Sequence, residues 1–210
     1  LRPPRPLVPS AIGEDDAPDP PPSPAMRQAA ERGKLLHSLF ERLPEVAPAD
    51  RAALADAWLE RSAGIADAAV RRELVANACA IISDPDFAGI FAPDALAEAP
   101  IAAVTADGSV ITGTVDRLLV TPERIRFVDF KTGRNAPAGP DSIPAPHLRQ
   151  MAAYVAALEV IFPGRKVEAA LLYTAGPALF ALDRSRLEPH MPGAETAPHP
   201  IGAPAAPIAS

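Results

Sequence analysis

The sequence predicts an α/β sandwich, in which helices flank a mixed β-sheet. One observation behind this prediction is a change of period: apolar residues recur at helical spacing up to about residue 82 and alternate as in strands from about residue 97. The other is the order of the segments, which runs helices, three antiparallel strands, a helix and a further strand. Elements in this order pack as helices against a sheet.

Four helices and one short helical turn are predicted. The first contains five large apolar residues at helical spacing, and Pro44 ends it. Asp50 is the expected N-cap of the second helix. Asp84 and Pro85 break the third, and Pro146 fits the first turn of the fourth. The predicted ranges are 26–43, 50–59, 66–82 and 147–161, with the turn at 86–91.

Five strands are predicted, the last of them short. Asp107 and Gly108 form a hairpin turn after the first strand, and Pro122 and Glu123 lie in the turn between the second and the third. The segment 133–146 is rich in glycine and proline, so we expect a loop there. The predicted ranges are 97–105, 109–120, 124–131, 167–174 and 179–182.

Proline marks the boundaries of the folded region. Nine of the 27 prolines lie in the first 24 residues, and six lie from Pro189 onward. Proline mixed with alanine, serine and aspartate is typical of extended linkers and tails. We therefore predict a linker over 1–25, one domain over 26–188 and a tail over 189–210. Since the chain begins with leucine, we expect a fragment of a longer protein or a processed one.

The composition excludes several classes of protein. Cys79 is the only cysteine, so a disulfide framework, a cysteine-ligated zinc site and an iron–sulfur cluster cannot form, and we expect a cytoplasmic protein. The sequence contains neither an apolar run of about 18 residues nor a P-loop, which argues against a membrane span and against nucleotide binding of that type. The net charge of −6 argues against a free-standing nucleic-acid-binding protein, although residues 113–166 carry eight basic and five acidic side chains.

The hairpin over 113–131 brings two acidic residues together. If its turn has an even number of residues, the pairing places Asp116 opposite Asp129, on a face that is apolar nearer the turn. Lys131 lies two residues beyond Asp129, so its side chain shares that face. The hairpin therefore predicts a cluster of two carboxylates and one ammonium group.

Two carboxylates at directly opposite positions destabilise a sheet unless something compensates their charge. A hard divalent cation such as Mg²⁺ binds carboxylate oxygens together with water and phosphate oxygens. A lysine beside this cation can orient a water molecule and offset charge on a phosphate. The alternative is a surface hairpin with scattered charges, and a single β-bulge would change the pairing.

The motifs around these residues resemble the PD-(D/E)xK nuclease superfamily, in its RecB-like branch. The two hairpin motifs are G-T-V-D and V-D-F-K-T-G. Three further motifs of this branch occur in order, R-G-K-L-L-H at 32–37, A-E-A-P-I at 97–101 and H-L-R-Q-M-A-A-Y at 147–154. The resemblance covers about 26–182. It implies a restriction-endonuclease-like core with a mixed central sheet, flanking helices and an N-terminal helical segment.

The resemblance also implies the roles of the central residues. Asp116 and Asp129 would hold the metal, and His37 and the main-chain carbonyl of Phe130 would complete its ligands. Lys131 would position the attacking water. The expected ion is Mg²⁺, with Mn²⁺ as the alternative because imidazole is an unusual ligand for Mg²⁺.

Other residues have less defined roles. The resemblance implies that Gln150 and Tyr154, as members of the Gln-xxx-Tyr motif, are catalytic residues that would contact a DNA phosphate or support the lysine. Without it, they are ordinary residues four apart on one face of an amphipathic helix. Glu98 is either a functional acid or a solvated strand carboxylate. Arg117 and Arg134 are candidates for contacts with the DNA backbone.

A narrower resemblance is to the nuclease domains of bacterial AddAB-type helicase–nucleases, of the alphaproteobacterial kind. It rests on R-G-K-L-L-H-S-L-F, I-P-A-P-H-L-R-Q-M-A-A-Y and A-L-L-Y-T. It implies a DNA exonuclease domain in double-strand break processing and recombinational repair. Its partners would be a helicase region of the same polypeptide, an AddB-like subunit and a single DNA strand fed from a duplex end, without a membrane. The alternative is a catalytically silent module with a nuclease fold that holds DNA or docks to a partner subunit.

Overall fold

The computed structural model describes residues 7–9, 23–133 and 136–193. These residues form five α-helices and one five-stranded sheet. The helices are α1 (Pro24–Arg42), α2 (Arg51–Arg61), α3 (Ala68–Ser83), α4 (Ala145–Ile161) and α5 (Arg184–Leu187). The strands are β1 (Leu96–Val104), β2 (Val110–Val120), β3 (Arg124–Lys131), β4 (Lys166–Tyr173) and β5 (Ala178–Leu182). Short 3-10 helices lie at Pro85–Phe87, Pro140–Ser142 and Glu188–His190.

The main helices begin close to their predicted positions. α1 starts at Pro24, because Ser23 Oγ accepts a hydrogen bond of 3.2 Å from the Met26 N–H and proline fits a first helical turn. Asp67 caps α3 in the same way. Asp50 lies at the N-cap of α2, but its side chain makes no capping hydrogen bond. No helix in these described ranges has both the length and the apolar character needed to cross a membrane.

The sheet is mixed, which confirms the predicted fold class. Its strand order is β1-β2-β3-β4-β5, with β3 and β4 parallel and the other neighbours antiparallel. Two parallel strands need a long crossover, and α4 lies in the segment that connects them. The carboxyl ends of β3 and β4 therefore meet at one edge of the sheet, where Lys131 pairs with Tyr173.

Each face of the sheet carries its own core, because side chains alternate along β3 and β4. Phe127 and Leu171 face α4 and pack with residues such as Met151. Val128 and Phe130 face the other way, into the core formed with α1, α2 and α3. The site described below lies where β3 and β4 end, and helices from both faces of the sheet reach it.

The predicted register of the β2–β3 hairpin is confirmed near the turn. Val120 pairs with Ile125, and the ladder continues to the pair Arg117–Val128. It ends there, one position before Asp116 and Asp129. The two acidic residues thus lie where the strands separate rather than within the paired ladder.

Arg117 does not reach solvent, so the structure contradicts the expected contact of this residue with DNA. Its side chain is buried and donates to the carbonyl of Phe40 and, at 3.2 Å, to the carbonyl of Ala95. The guanidinium also lies 5.5 Å from the ring centroid of Phe91. Arg117 therefore connects β2 to the helical layer. Arg134 lies outside the described residues.

The predicted linker and tail fall mostly outside the described residues. Of the linker over 1–25, only residues 7–9 and 23–25 are described, and of the tail over 189–210 only 189–193. Leu7 forms a parallel bridge with Ile111 of β2. The division of the chain into linker, domain and tail stays a prediction.

Candidate metal centre

A backbone hydrogen bond to a side chain marks the point where β2 and β3 separate. The Phe130 N–H of β3 donates to Asp116 Oδ2 of β2, where continued pairing would have supplied a backbone carbonyl. Beyond Arg117 and Val128 the two strands form no further backbone pairs, but this bond still links them. The Asp116 carboxylate is thereby fixed in the gap between the strands.

α1 supplies a histidine to the same carboxylate. His37 Nδ1 lies 3.2 Å from Asp116 Oδ1 and 3.9 Å from Glu98 Oε1. The His37 ring packs against the Phe130 ring, with centroids 5.6 Å apart. One turn earlier, Gly33 lets α1 come close to the end of β3, because a Cβ at this position would clash with the Thr132 side chain. This close approach explains why a glycine precedes the histidine in the R-G-K-L-L-H motif.

Glu98 completes the cluster from β1, in an unusual backbone conformation. Its φ is +48°, the only positive value among the described non-glycine residues. Ala97 and Ala99 keep regular pairs with β2 on either side, which places Glu98 across from Asp116. A left-handed conformation at a residue with a side chain costs about 1–3 kcal/mol and is typical of functional sites.

The donor set formed by His37, Glu98 and Asp116 fits a divalent cation. One ligand atom from each lies within 4.8 Å of the others. Burial and the negative charge of Asp116 raise the pKa of Glu98, so a cation bound here would favour the ionised Glu98 carboxylate. Carboxylate oxygens are ligands for Mg²⁺ and Mn²⁺, and imidazole favours Mn²⁺.

The histidine responds to the same charges. Burial lowers the pKa of His37, but the hydrogen bond to Asp116 and the charges of Asp116, Asp129 and Glu98 outweigh burial, so the pKa is raised above 6.5. An imidazolium in this position offsets the carboxylate charge when no metal is bound. A metal ligand must be the neutral imidazole, so binding of a cation here releases this proton.

The centre opens to solvent through a cleft of about 510 Å³. His37, Glu98 and Thr132 lie on its wall, together with Lys34 and Ser38 of α1. The cluster is therefore accessible to a ligand larger than water.

A second cluster lies next to the first, on the side of α4. Lys131 Nζ lies 2.8 Å from Asp129 Oδ2 and donates to Gln150 Oε1. Gln150 Nε2 donates to Asp129 Oδ1 at 3.2 Å. Asp129 is only 4% exposed, and its burial raises its pKa to about 6, against the opposing charge of Lys131. Gln150 thus holds the acid and the lysine in one arrangement.

Three residues on one face of α4 each contact a different strand. Tyr154 Oη donates to the Thr114 carbonyl of β2 at 2.8 Å, and Gln150 contacts the β3 residues just described. His147 Nδ1 and Tyr173 Oη of β4 form a hydrogen bond of 2.7 Å. Residues at positions i, i+3 and i+7 share one helical face. α4 therefore holds three strands in place at the edge where the site lies.

The structure brings the predicted site residues together, but into two adjoining groups. His37 and Asp116 join Glu98 in one, and Asp129, Lys131 and Gln150 form the other. Tyr154 lies behind them, 1% exposed, with its burial raising its pKa to about 12. The Phe130 carbonyl points to the same edge of β3 as the N–H that Asp116 binds, because both groups of a strand residue face one side.

The sequence reasoning missed His147 and left the role of Glu98 undecided. His147 lies one helical turn before Gln150, and this spacing is the signal that could have found it. Glu98 had only the short A-E-A-P-I motif in its favour. A positive φ at a glutamate has no sequence signature.

Comparison with known proteins gives a match over most of the chain. The sequence of residues 13–199 matches a protein family described as the PD-(D/E)XK nuclease superfamily. No curated protein sequence matches the chain. Among solved structures, the crystal structure of SSO0001 is 14% identical, has a TM-score of 0.32, and aligns over 74% of this chain and 80% of that chain. A structural similarity at this level adds nothing to the family match.

Proposed function

The chain belongs to the PD-(D/E)XK nuclease superfamily, and on this premise we propose that it is a DNA nuclease domain dependent on Mg²⁺ or Mn²⁺. The observation that carries the proposal is the placement of Lys131 and Asp129 beside the donor set of His37, Glu98 and Asp116. Metal ligands that reach an accessible cleft, with a positioned ammonium group beside them, are the parts that phosphodiester hydrolysis needs.

The proposed metal ligands come from four elements of the fold. His37, Glu98 and Asp116 supply the nitrogen and oxygen donors, and Asp129 and the Phe130 carbonyl are further candidates at the same edge. Each Asp129 oxygen accepts one hydrogen bond or ion pair and keeps a second lone pair. A divalent cation bound there supplies a Lewis acid for the phosphoryl oxygens and lowers the pKa of a bound water.

Lys131 has the position of the residue that orients the attacking water. Its ammonium group has two protein partners, Asp129 and Gln150, which fix its direction and leave its third N–H for water or a phosphate oxygen. Water then attacks phosphorus in line and displaces the sugar 3′ oxygen, leaving a 5′ phosphate. Gln150 acts through the lysine and the aspartate and is a positioning residue.

We further propose that the domain is the C-terminal nuclease domain of an AddA-like helicase–nuclease that acts in the cytoplasm. The motifs that support this proposal are those with the narrower resemblance, at 32–40, 143–154 and 170–174. In that setting a helicase region of the same polypeptide and an AddB-like subunit would deliver a single strand during double-strand break repair. Delivery by a motor would explain how a chain with a net charge of −6 engages DNA.

The direct test is cleavage of an end-labelled single strand in Mg²⁺, in Mn²⁺ and in EDTA. We expect cleavage only with metal, and its loss in Lys131→Ala. Lys166→Ala is the matched control, because this lysine is exposed and lies at the other end of the parallel strands. DNA binding without cleavage in either metal would contradict the proposal and favour a silent module that holds DNA.

A further inference from the structure

Beside the metal centre, β2 has an edge that β3 leaves unpaired within the described residues. β1 pairs with β2 between Val110 and Leu118, with a gap at Asp116, but β3 pairs with it only from Arg117 to Val120. The first half of β2, which ends at Asp116, therefore presents backbone donors and acceptors on the side that β3 has left. Unpaired backbone groups at an edge attract another strand.

The N-terminal arm, which we define as residues Leu7–Pro9, occupies part of this edge. The Leu7 N–H donates to the Val110 carbonyl at 2.6 Å, and the Thr112 N–H donates to the Leu7 carbonyl at 3.0 Å. These two bonds form the parallel bridge between Leu7 and Ile111. Ala103 of β1 pairs with Ile111 from the other side, so the arm lies on the side of β3.

Pro9 and Tyr154 both pack against β2 at Gly113. A Cβ at Gly113 would lie 3.2 Å from Pro9 Cδ and 2.9 Å from Tyr154 Cε1. Pro9 is buried, and Tyr154 Oη binds the next residue through the Thr114 carbonyl. The backbone two to three residues before Asp116 is therefore held by the arm as well as by α4.

We propose that the N-terminal arm is a positioning segment of the metal centre, because it fixes the part of β2 that leads to Asp116 and so keeps Asp116 turned toward His37. Continued pairing in the register of the hairpin would make Asp116 a direct cross-strand partner of Asp129, and like charges there are unfavourable. In that register β3, which ends at Lys131, would reach β2 only as far as Thr114. The arm holds the residues before that point, through the two bonds of Leu7 and the contact of Pro9 with Gly113. Its effect on cleavage rests on the proposed function, whereas its effect on metal binding does not.

The test uses the full 210-residue chain with a Leu7→Pro substitution, which removes the N–H that donates to Val110. We expect faster amide hydrogen exchange at Thr112, measured by NMR, and an Mn²⁺ affinity lower by about tenfold, the smaller end of the effect of residues that orient metal ligands. Val8→Ala is the matched control, since Val8 has an exposed side chain and the change keeps every backbone donor. Pro9→Ala disturbs the arm less, and we expect an intermediate loss of Mn²⁺ affinity.

Two results would overturn the proposal. If Thr112 exchanges faster in Leu7→Pro while Mn²⁺ affinity stays at the wild-type value, the arm covers an edge without positioning the site. If Thr112 exchange is unchanged, the arm does not hold β2. Lower Mn²⁺ affinity in Leu7→Pro supports the arm even where no variant cleaves DNA, so this proposal and the proposed function fail separately.

Discussion

The Asp116 carboxylate accepts a hydrogen bond from the Phe130 backbone N–H across the gap between two strands. One carboxylate thereby satisfies a backbone group that the ended ladder leaves unpaired, and its other oxygen contacts His37. A buried N–H without a partner is costly, so the contact favours the separated strands. The hydrogen bond that forms where β2 and β3 separate therefore also fixes the position of Asp116, a candidate metal ligand.

Replacing Gln150 with alanine is expected to lower cleavage by about 10–100-fold while the fold is retained, a loss typical of residues that orient the groups around a metal. Gln150 is the shared partner of Lys131 and Asp129, and its removal leaves the ion pair between them without lateral support. Steady-state cleavage and thermal melting of the same preparations give the two readouts. A drop in melting temperature that accounts for the lost activity would contradict the positioning role.

The pH dependence of stability offers a test of the buried acid. Burial raises the pKa of Asp129 to about 6, so at pH between 3.8 and about 6 the folded protein keeps a proton that the unfolded chain has released. The stability that the protonated Asp129 contributes is complete below pH 3.8 and is lost as the pH rises through about 6. His37, whose pKa is also raised, adds to the loss at higher pH.

Asp129→Asn removes the part of this dependence that belongs to Asp129. We expect the free energy of unfolding of the variant, relative to that of the wild-type protein, to increase as the pH rises from 4.5 to 7 in metal-free buffer. Urea denaturation at four or five pH values measures this difference. A difference that stays constant across the range would show that Asp129 titrates in the folded protein as it does in the unfolded chain.

Gly113 is expected to tolerate no side chain. A Cβ at this position would lie 2.9 Å from Tyr154 Cε1, and Tyr154 cannot retreat because its ring is fully buried and packs edge-on against Phe127. Gly113→Ala should cost about 1–3 kcal/mol in the free energy of unfolding, as overpacking does. Gly139→Ala is the matched control, since its backbone is extended and a Cβ there meets no atom within 4 Å. Equal denaturation midpoints for the two variants would contradict this account.

The sequence predicted the fold and the β2–β3 register because both depend on local patterns. Alternating apolar residues and a short turn determine which residues pair, and this determined the position of Val120 opposite Ile125. The end of the ladder at Arg117 was not predictable, because it depends on a bond from Phe130 to a side chain. Simple alternation placed Asp116 on the face of Asp129, whereas its carboxylate contacts α1.

The buried state of Arg117 has a similar cause. Arginine is usually exposed, and nothing in its neighbours along the chain indicates otherwise. Its carbonyl partners, on Phe40 and Ala95, come from segments that are distant in the sequence. Such a site forms only once α1 and β1 have packed, so sequence patterns do not reveal it.

We expect Glu98 to lower the stability of the metal-free protein and to contribute to metal binding. The Glu98→Gly variant tests both effects. Glycine adopts the observed φ of +48° without strain, and its introduction removes a carboxylate whose ionisation is disfavoured by burial and by the charge of Asp116. The metal-free variant should therefore unfold at a higher temperature, by an amount equivalent to about 1 kcal/mol or more. The rise in melting temperature caused by Mn²⁺ should shrink, because one donor of the set is lost.

Glu98→Gln keeps the backbone strain while removing the charge, so it should weaken the Mn²⁺ response with a smaller gain in metal-free stability. An Mn²⁺ response of wild-type size in both variants would place Glu98 outside the metal centre, and a metal-free Glu98→Gly protein less stable than wild type would show that the positive φ stores no strain.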